Sequence, residues 1–463
     1  MPARHANLII MTACISMLCY VVQRRTKTAL MVGDAVAMID TYYVDPVDRD
    51  QLILSAMNGM TQSLDDHSEF ITEQNYQAFQ DSIQQEFAGI GIYVEQPEPN
   101  QPVRVVTPLV GSPALEAGMM PGDRILEVDG EDVSTMELQE VSKRLKGPVG
   151  TAIRITLDRE SKKIQLDVRR ETIEIDSVIG DHRDEQNQWV YRLKQQPEVA
   201  YLRLTSFGDR TVDEIKFALA SLNDDYRGII IDLRGNGGGL LNAAVEISDM
   251  FLTQGRIVST RTRGGVLEDQ FDASEGILVD PSKPVSILID QDSASASEIL
   301  AACLQDHGRA AIVGKRSFGK GTVQNILPLQ YGRSALRLTV ARYYRPNGEN
   351  IHRKRDAKDE DQWGVLPDEG FDVDLDPDNL EKLAKRWREA SYPLLASNPP
   401  NDLSDSMTSS PSQEPLPEKV NPSINEGTRE TSESRIDTQL WAAVDALKLD
   451  LSEPSKTLET SIH

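Results

Sequence analysis

Cysteine is scarce in this 463-residue chain, and the three cysteines do not form a pattern. Cys14 and Cys19 lie in an apolar run near the N-terminus, and Cys303 lies in a predicted helix. No pair has the spacing of a zinc site, and nothing here resembles a disulfide framework. The sequence therefore excludes a cysteine-based metal centre and predicts that Cys303 is a small buried residue.

Positive charge is also in short supply. The chain has 49 Lys and Arg against 73 Asp and Glu, which gives a formal net charge of −24. Binding to a nucleic-acid backbone or to anionic lipid depends on clustered Lys and Arg. We therefore expect no nucleic-acid partner and no general attraction to an anionic membrane surface.

Long apolar runs are almost absent, apart from LIIMTACISMLCYVV at residues 8–22. Fifteen residues are few for a membrane span and match the core of a signal peptide. The basic stretch QRRTK follows at residues 23–27 and weakens this interpretation, because the positive-inside rule favours basic residues in the cytoplasm. We predict a signal peptide or an uncleaved anchor within residues 1–27. The alternative is a buried N-terminal helix.

Composition divides the rest of the chain into four stretches. Residues 28–85 predict a helical segment, and residues 86–172 predict a compact strand-rich unit with two helices. Residues 173–395 alternate short apolar strands with helical runs, which predicts a layered α/β domain. Residues 396–463 are rich in Pro, Ser and Glu and predict a disordered acidic tail, with one short helix as an option in DTQLWAAVDALKLDL. The predicted fold class is multidomain α/β (α+β).

Two glycine-rich stretches could carry chemistry. GNGGGLL, from Gly235, follows a predicted strand and opens a helix, so its N–H groups could face a developing oxyanion. A tight turn is the alternative, and a dinucleotide loop fails because Leu240 replaces its last glycine. GKRSFGKGT, from Gly314, nearly matches a phosphate-binding loop, but Gly321 replaces the hydroxyl residue that would reach Mg²⁺.

The stretch DQDSASASEIL, residues 290–300, has three serines ahead of a predicted helix. A Ser-His-Asp hydrolase lacks its usual sign, because no G-x-S-x-G elbow occurs and only six histidines are present. A lysine can replace histidine as the base when burial leaves its amine neutral. Lys320, between two glycines, is the candidate, but spacing alone does not pair it with one of the serines.

Several motifs in a fixed order resemble one family. DLRGNGGG, SASASEILAACLQD and SFGKGTVQ follow one another after the strand-rich unit, as in the C-terminal processing peptidases, also called tail-specific proteases. YYVDP and LDDHSEF near the N-terminus, and LTVARYYRPNGENI with GVLPD further on, extend the resemblance over most of the chain. It implies a serine endopeptidase that needs no metal and no cofactor and acts on proteins or peptides with exposed C-termini.

The resemblance also implies a role for each matching residue. Ser295 is the nucleophile, Lys320 is the general base 25 residues further on (320 − 295 = 25), and Gln324 orients the lysine. The backbone N–H groups of Ala296 and Gly239 form the oxyanion hole.

The residues around the nucleophile then have lesser parts. Ser293 and Ser297 are expected to cap or pack at the helix start. Asp292 occupies a position where the family usually has glycine. If the backbone there requires a positive φ, aspartate can adopt it at modest cost; if aspartate does not adopt it, the serine is misplaced.

The strand-rich unit resembles a PDZ domain through FAGIGI at Phe87–Ile92 and through GSPALEAGMMPGDRILEVDG. This resemblance implies that Gly89, Ile90, Gly91 and Ile92 bind the carboxylate of a peptide C-terminus, while the adjacent strand edge pairs with the peptide. The alternative is a small β-domain that serves only as a spacer.

The family likeness further implies a bacterial cell-envelope location, periplasmic or anchored to the inner membrane facing the periplasm. Membrane anchoring by residues 8–22 and a homodimer stay open.

Two rival functions differ in the residues that they require. A catalytically inactive PDZ scaffold would have lost Ser295, Lys320 or Gln324, and all three are present; a nucleotide hydrolase would need Ser or Thr at position 321.

Overall fold

The computed structural model describes Met17, residues 30–397 and residues 436–451. The predicted signal or anchor, Cys14, Cys19 and most of the predicted tail lie outside the described residues. Within the described part of the chain, no helix is long and apolar enough to cross a membrane.

The helices of the described residues are α1 (30–42), α2 (Arg49–Gln62), α3 (Glu73–Gln84), α4 (Pro113–Glu116), α5 (Leu138–Leu145), α6 (Thr211–Ser221), α7 (Leu241–Asp249), α8 (Ala296–Asp306), α9 (Pro377–Ser391), α10 (Pro393–Ser397) and α11 (Thr438–Leu451), with a 3₁₀ turn at Gln330–Gly332.

The strands are β1 (Glu69–Ile71), β2 (Glu86–Gly89), β3 (Ile92–Glu95), β4 (Arg104–Pro108), β5 (Arg124–Val128), β6 (Glu131–Asp132), β7 (Ala152–Arg159), β8 (Lys162–Arg169), β9 (Glu171–Glu174), β10 (Val178–Ile179), β11 (His182–Arg183), β12 (Trp189–Val190), β13 (Arg192–Leu193), β14 (Gln196–Leu204), β15 (Gly228–Asp232), β16 (Arg256–Arg261), β17 (Leu267–Asp272), β18 (Val285–Ile289), β19 (Ala310–Gly314), β20 (Thr322–Leu329) and β21 (Ser334–Tyr344).

The chain forms two compact units. The first unit contains the residues up to Gln77 together with Gln324–Val340, and the second contains Ala78–Val323 and the residues from Ala341 onward. In the first unit, β1 pairs antiparallel with the first part of β21, so that Ile71 faces Ala335. The stretch predicted as helical therefore also contains a strand, whose partner follows more than two hundred residues later and leaves no local signal.

The second unit begins with an antiparallel sheet in the strand order β3-β4-β5-β7-β8. Its core follows the alternation of the sequence: AIRITLD in β7 buries Ile153, Ile155 and Leu157 on one face. Helices α4 and α5 are the two helices expected here. Strand β3 is at the edge of this sheet, and among the described residues it pairs only with β4.

A second sheet of this unit has the parallel strands β14, β15, β18 and β19 side by side. All five residues of GIIID in β15 are buried, as expected for a central strand covered on both faces. Ile229 and Ile231 pack into the core that includes residues of α6, α7 and α8, and Ile230 between them packs with residues of α11. The sheet therefore lies between two helical layers.

Helix α11 is the optional helix that the sequence offered within the tail. The sequence suggested a disordered tail with an optional short helix, yet Leu440, Ala443, Val444 and Leu447 are buried against the sheet. An isolated helix of this length is marginal in water, but burying one apolar face stabilises it. The structure has this helix at Thr438–Leu451, where the sequence offered it as an option.

The parallel arrangement brings several loops to one edge of the sheet. Loops that follow β14, β15, β18 and β19 all leave from the carboxyl ends of neighbouring strands. In open α/β sheets this edge is where ligand-binding and catalytic groups meet. GNGGG follows β15, SASAS follows β18, and the lysine loop follows β19.

Candidate active site

Ser295 lies at the sharp turn between β18 and α8, directly before the first helical residue. Its backbone has φ +56° and ψ −113°, a conformation that non-glycine residues rarely adopt. Strain of this kind is typical of a side chain held in a required position. The side chain is half-buried, so it remains accessible from one side.

The two flanking serines differ from Ser295, because both are fully buried. The Ser293 hydroxyl donates to the carbonyl oxygen of Leu233 at 2.8 Å, and the Ser297 hydroxyl donates to that of Asn236 at 2.8 Å. Both therefore join the helix start to the glycine-rich loop. Asp292 does not have a positive φ, so aspartate creates no strain at this position.

The loop after β15 passes directly beside the nucleophile. A Cβ atom added to Gly238 would lie 2.8 Å from the Ser295 Cβ and 2.6 Å from the Ala294 carbonyl oxygen. Gly238 also has φ +96°, so only glycine fits without strain. Sequence reasoning did not single out this glycine, although its place in GNGGG is the available signal.

Asn236 holds the loop in place. Its carbonyl oxygen accepts from the Ala294 N–H at 3.0 Å, its side-chain amide donates to the Leu204 carbonyl oxygen at 2.9 Å, and its Oδ1 accepts from the Gly238 N–H at 2.9 Å. The side chain is completely buried. Buried, satisfied polar groups of this kind fix one loop geometry.

The predicted oxyanion donors are the N–H groups of Gly239 and Ala296. Among the described residues, neither group donates a hydrogen bond to a protein acceptor. Ala296 is the first residue of α8, where the helix dipole favours negative charge. Of the three N–H groups, that of Gly238 is bound to Asn236 Oδ1 at 2.9 Å. The roles of Gly239 and Ala296 as oxyanion donors stay predictions.

Glu298 is a residue that sequence reasoning missed. Its carboxylate is fully buried; Oε2 accepts from the N–H groups of Ser295 at 2.8 Å and Lys320 at 2.9 Å, and Oε1 accepts from the Gly319 N–H at 2.7 Å and the Ser317 hydroxyl. Burial raises the pKa of Glu298, and these four donors oppose that rise. Ser295-x-x-Glu298 is a capping-box pattern, which is the signal that could have revealed it.

Lys320 lies in the loop between β19 and β20 and is half-buried. The glycines beside it have no room for side chains: a Cβ on Gly319 would lie 2.8 Å from the Arg353 Cβ, and one on Gly321 would lie 2.6 Å from the His352 nitrogen. The buried Tyr343 hydroxyl is within hydrogen-bond distance of the carbonyl oxygens of both Lys320 and Ser295. Two side chains therefore connect the main chains of Ser295 and Lys320: Glu298 binds their N–H groups, and Tyr343 lies against their carbonyl oxygens.

The structure of the same loop argues against a nucleotide hydrolase. A phosphate-binding loop leads from a strand into a helix, whose N-terminus holds the phosphates. Here the glycine-rich stretch leads from β19 into β20, and no helix follows it directly. Among the described residues there is also no group of His, Cys, Asp or Glu side chains that could hold a metal ion.

Gln324 belongs to the first unit, in contrast to Ser295 and Lys320. Within that unit its side-chain amide donates to the Thr339 hydroxyl at 3.1 Å. Its assignment as the residue that orients Lys320 stays a prediction.

The segment Gly89–Ile92 connects β2 to the edge strand β3. Gly91 has φ +74°, and a Cβ on it would lie 2.4 Å from the Ser112 Cβ, so this position requires glycine. The Ile90 carbonyl oxygen accepts from the Ala114 N–H at 2.9 Å, and the Ile90 side chain packs in the core. The loop is therefore anchored to the core and leads into β3, an edge strand of the sheet. Binding of a peptide there stays a prediction.

Comparison with known proteins gave matches to two family models and to a solved structure. The model of peptidase family S41 matches residues 198–370, and a PDZ domain model matches residues 104–159. A solved structure of a photosystem II D1 C-terminal processing protease is 28% identical, covers 77% of this chain and 96% of its own, and has a TM-score of 0.42.

Curated relatives also match most of the chain. The carboxy-terminal-processing protease of Bartonella bacilliformis is 37% identical over 377 residues, which are 80% of this chain and 83% of that protein. The carboxy-terminal processing protease CtpA of Bacillus subtilis is 33% identical over 324 residues, which are 69% of this chain and 66% of that protein. With its S41 and PDZ domains, the chain belongs to the carboxy-terminal-processing proteases, a family of serine-type peptidases.

Proposed function

We propose that this protein is a serine endopeptidase in which Ser295 is the nucleophile and Lys320 is the general base. The observation that carries the proposal is the strained Ser295 backbone directly before α8, with Gly238 of the glycine loop against its side chain. Among the described residues, the N–H groups proposed as oxyanion donors, those of Ala296 and Gly239, have no protein acceptor. Such donors stabilise an oxyanion because they are already oriented before the reaction.

The proposed reaction has two stages. The neutral amine of Lys320 takes the proton of the Ser295 hydroxyl while its oxygen attacks the scissile carbonyl carbon. The N–H groups of Ala296 and Gly239 stabilise the tetrahedral oxyanion, and Lys320 returns the proton to the leaving amine. Water then hydrolyses the acyl-enzyme with the same lysine as base. Gln324 is proposed to orient the Lys320 amine.

We further propose that the PDZ domain selects substrates by their C-termini. The N–H groups of the Gly89–Ile92 loop would bind the terminal carboxylate, and β3 would pair with the preceding residues. Two observations support this role: Gly91 has no room for a side chain, and among the described residues β3 lies at the edge of its sheet. The domain limits that we propose are residues 86–172 for the PDZ domain and residues 173–395 for the catalytic domain.

The test is cleavage of an unfolded reporter protein that ends in apolar residues, without ATP. Wild type should cleave it and Ser295→Ala should not. The same reporter with an amidated C-terminus should have a higher KM because the carboxylate contact is lost. Equal cleavage by wild type and Ser295→Ala would refute the proposed nucleophile; binding without cleavage by either protein would support the inactive PDZ scaffold instead.

Export to the bacterial cell envelope is also proposed, with residues 8–22 as signal or membrane anchor. Fractionation of cells that express the full chain should place it in the periplasm or inner membrane, and loss of residues 1–27 should leave it in the cytoplasm.

A homodimer is supported by the exposed apolar side chains of Leu30, Met31 and Met38 on α1. Sedimentation should then give twice the monomer mass, and Met38→Glu should weaken the dimer.

A further inference from the structure

The C-terminal helix α11 is tied to the sheet by more than apolar packing. Leu447 lies over Gly228 at the start of β15, and the buried Ser286 hydroxyl of β18 donates to the Ala443 carbonyl oxygen at 3.0 Å. At the other end of the helix, Asp437 is buried, and its Oδ1 accepts from the Leu440 N–H at 3.0 Å. This N-terminal end lies close to the carboxyl end of β15.

Arg234 binds the N-terminal end of α11 through hydrogen bonds to Asp437 and Gln439. It is 1% exposed, and all five N–H bonds of its guanidinium group have acceptors. Asp437 accepts from Nη1 at 2.8 Å and from Nη2 at 2.9 Å, and Gln439 accepts from Nη1 at 3.1 Å. Asp232 accepts the remaining bonds, from Nε at 2.9 Å and from Nη2. A buried guanidinium with every donor satisfied has one preferred position.

Arg234 is also the residue directly before the GNGGG loop. Its own backbone N–H donates to Asp232 Oδ1 at 3.0 Å, so side chain and main chain are fixed by the same carboxylate. The next residue, Gly235, donates its N–H to the Asp290 carboxylate at 3.0 Å, and Asp290 begins the nucleophile loop. The position of Arg234 therefore determines where the loop leaves the sheet.

We propose that Asp437 is a positioning residue for the peptidase reaction: from the C-terminal helix it holds Arg234, and through Arg234 it sets the glycine loop that carries the oxyanion donor. This inference rests on the proposed role of the loop. The path has three steps, from Asp437 to Arg234, from Arg234 to Gly235–Gly239, and from Gly238 to the side of Ser295.

Removing the Asp437 charge should weaken stabilisation of the transition state more than it weakens substrate binding. In Asp437→Asn, one of the two oxygens that accept from Arg234 becomes an amide N–H₂ group. One buried guanidinium N–H then loses its acceptor and faces a donor, so the arginine must shift. A shifted loop misplaces the oxyanion donor, while the substrate still binds elsewhere on the protein. The expected result is a lower kcat with little change in KM.

The experiment compares Asp437→Asn with Leu447→Ala in the full-length chain. Leu447 packs on the same sheet from the same helix, over Gly228 at the start of β15, whereas Arg234 follows the end of that strand. Its truncation should therefore loosen the helix without removing an acceptor of Arg234. For Asp437→Asn we expect kcat to fall about tenfold with KM within about twofold, measured well below the unfolding temperature. Leu447→Ala should lower the unfolding temperature and leave kcat within about twofold.

A second readout is the rate at which a fluorophosphonate labels Ser295, because the phosphonyl oxygen occupies the oxyanion site. Asp437→Asn should slow labelling by the same factor as kcat. If it does not fold, Gln439→Ala removes one acceptor of Arg234 and should lower kcat about threefold. The inference would be overturned if the variant that folds, Asp437→Asn or Gln439→Ala, had the kcat of wild type. It would also be overturned if Leu447→Ala lost as much kcat for the same drop in unfolding temperature. Full activity of Ser295→Ala would instead refute the proposed function.

Discussion

The backbone N–H of Ser295 donates a 2.8 Å hydrogen bond to the carboxylate of Glu298. This bond fixes the main chain at the residue with the rarest backbone conformation in the site. The same carboxylate accepts from the Lys320 N–H at 2.9 Å, so one buried group sets the main-chain positions of both the proposed nucleophile and the proposed base.

Glu298→Gln should therefore lower activity. An amide nitrogen cannot accept the hydrogen bonds that one carboxylate oxygen now accepts, so buried donors lose their partners. We expect kcat to fall about 100-fold and the free energy of unfolding to fall by about 3 kcal/mol. Steady-state cleavage and urea denaturation measure the two quantities.

Glu214→Ala is the control for a buried carboxylate that accepts backbone hydrogen bonds elsewhere in the protein. Glu214 Oε2 likewise accepts from two backbone N–H groups, those of Ser177 at 2.8 Å and Val178 at 2.9 Å, but these are outside the candidate site. This variant should lose stability and keep its kcat. Equal losses of kcat in the two variants would mean that Glu298 only stabilises the fold.

Because the backbone of Ser295 is strained, a substitution that relieves the strain should stabilise the protein. Glycine adopts φ +56° without steric cost, so Ser295→Gly should raise the free energy of unfolding by about 1 kcal/mol while abolishing cleavage. Ser295→Ala also abolishes cleavage but keeps a Cβ atom, and with it the strain. If denaturation gave the same stability for Gly and Ala, the strain would be absent.

Adjacent glycines of the loop should respond differently to alanine. A Cβ on Gly238 would meet Ala294, Ser295 and Ala296 atoms within 2.8 Å, whereas a Cβ on Gly237 would meet nothing within 4 Å. Gly238→Ala should lower kcat about 100-fold, because the loop must move away from the nucleophile. Gly237→Ala should cleave at a rate close to wild type. Similar kcat values for the two variants would contradict the position assigned to the loop.

Cys303 should be unreactive in the folded protein. Burial raises the pKa of its thiol to about 12, above the ordinary value of about 8.5. At pH 9 only about one thiol in a thousand would be ionised, so iodoacetamide should not label it until the chain unfolds. Because the folded pKa is the higher one, the thiol's contribution to stability is complete below about pH 8.5 and is lost as the pH rises toward 12.

Peptide mass spectrometry of alkylated protein measures this reactivity. The peptide that carries Cys303 should remain unlabelled at pH 9 and become labelled in denaturant at the same pH. Rapid labelling of the folded protein would show that the helix α8 opens locally.

Patterns of local sequence predicted much of the fold. Alternation in β7 and the apolar run of β15 marked strands, and the motifs around Ser295 and Lys320 marked loops that the parallel sheet brings to one edge. These features depend on neighbours in sequence or on the topology of a parallel sheet. The helix at 438–451 was recognisable as well, but its packing was not.

Features that join distant parts of the chain were not predictable. Arg234 and Asp437 are 203 residues apart, and no spacing rule relates a buried arginine to a carboxylate in a stretch that is otherwise rich in Pro and Ser. The contacts of Glu298 with the lysine loop depend likewise on the tertiary fold, although its capping-box spacing was visible. Gly239 was singled out, while the glycine closest to the Ser295 side chain is Gly238.

The most direct test of the account is covalent labelling of the full-length protein with a fluorophosphonate, followed by peptide mass spectrometry. We predict one adduct, on Ser295, in wild type and in Ser293→Ala and Ser297→Ala, much slower labelling in Lys320→Ala, and none in Ser295→Ala. An adduct on another residue, or equal labelling of Ser295→Ala, would contradict the assignment of Ser295 as the nucleophile.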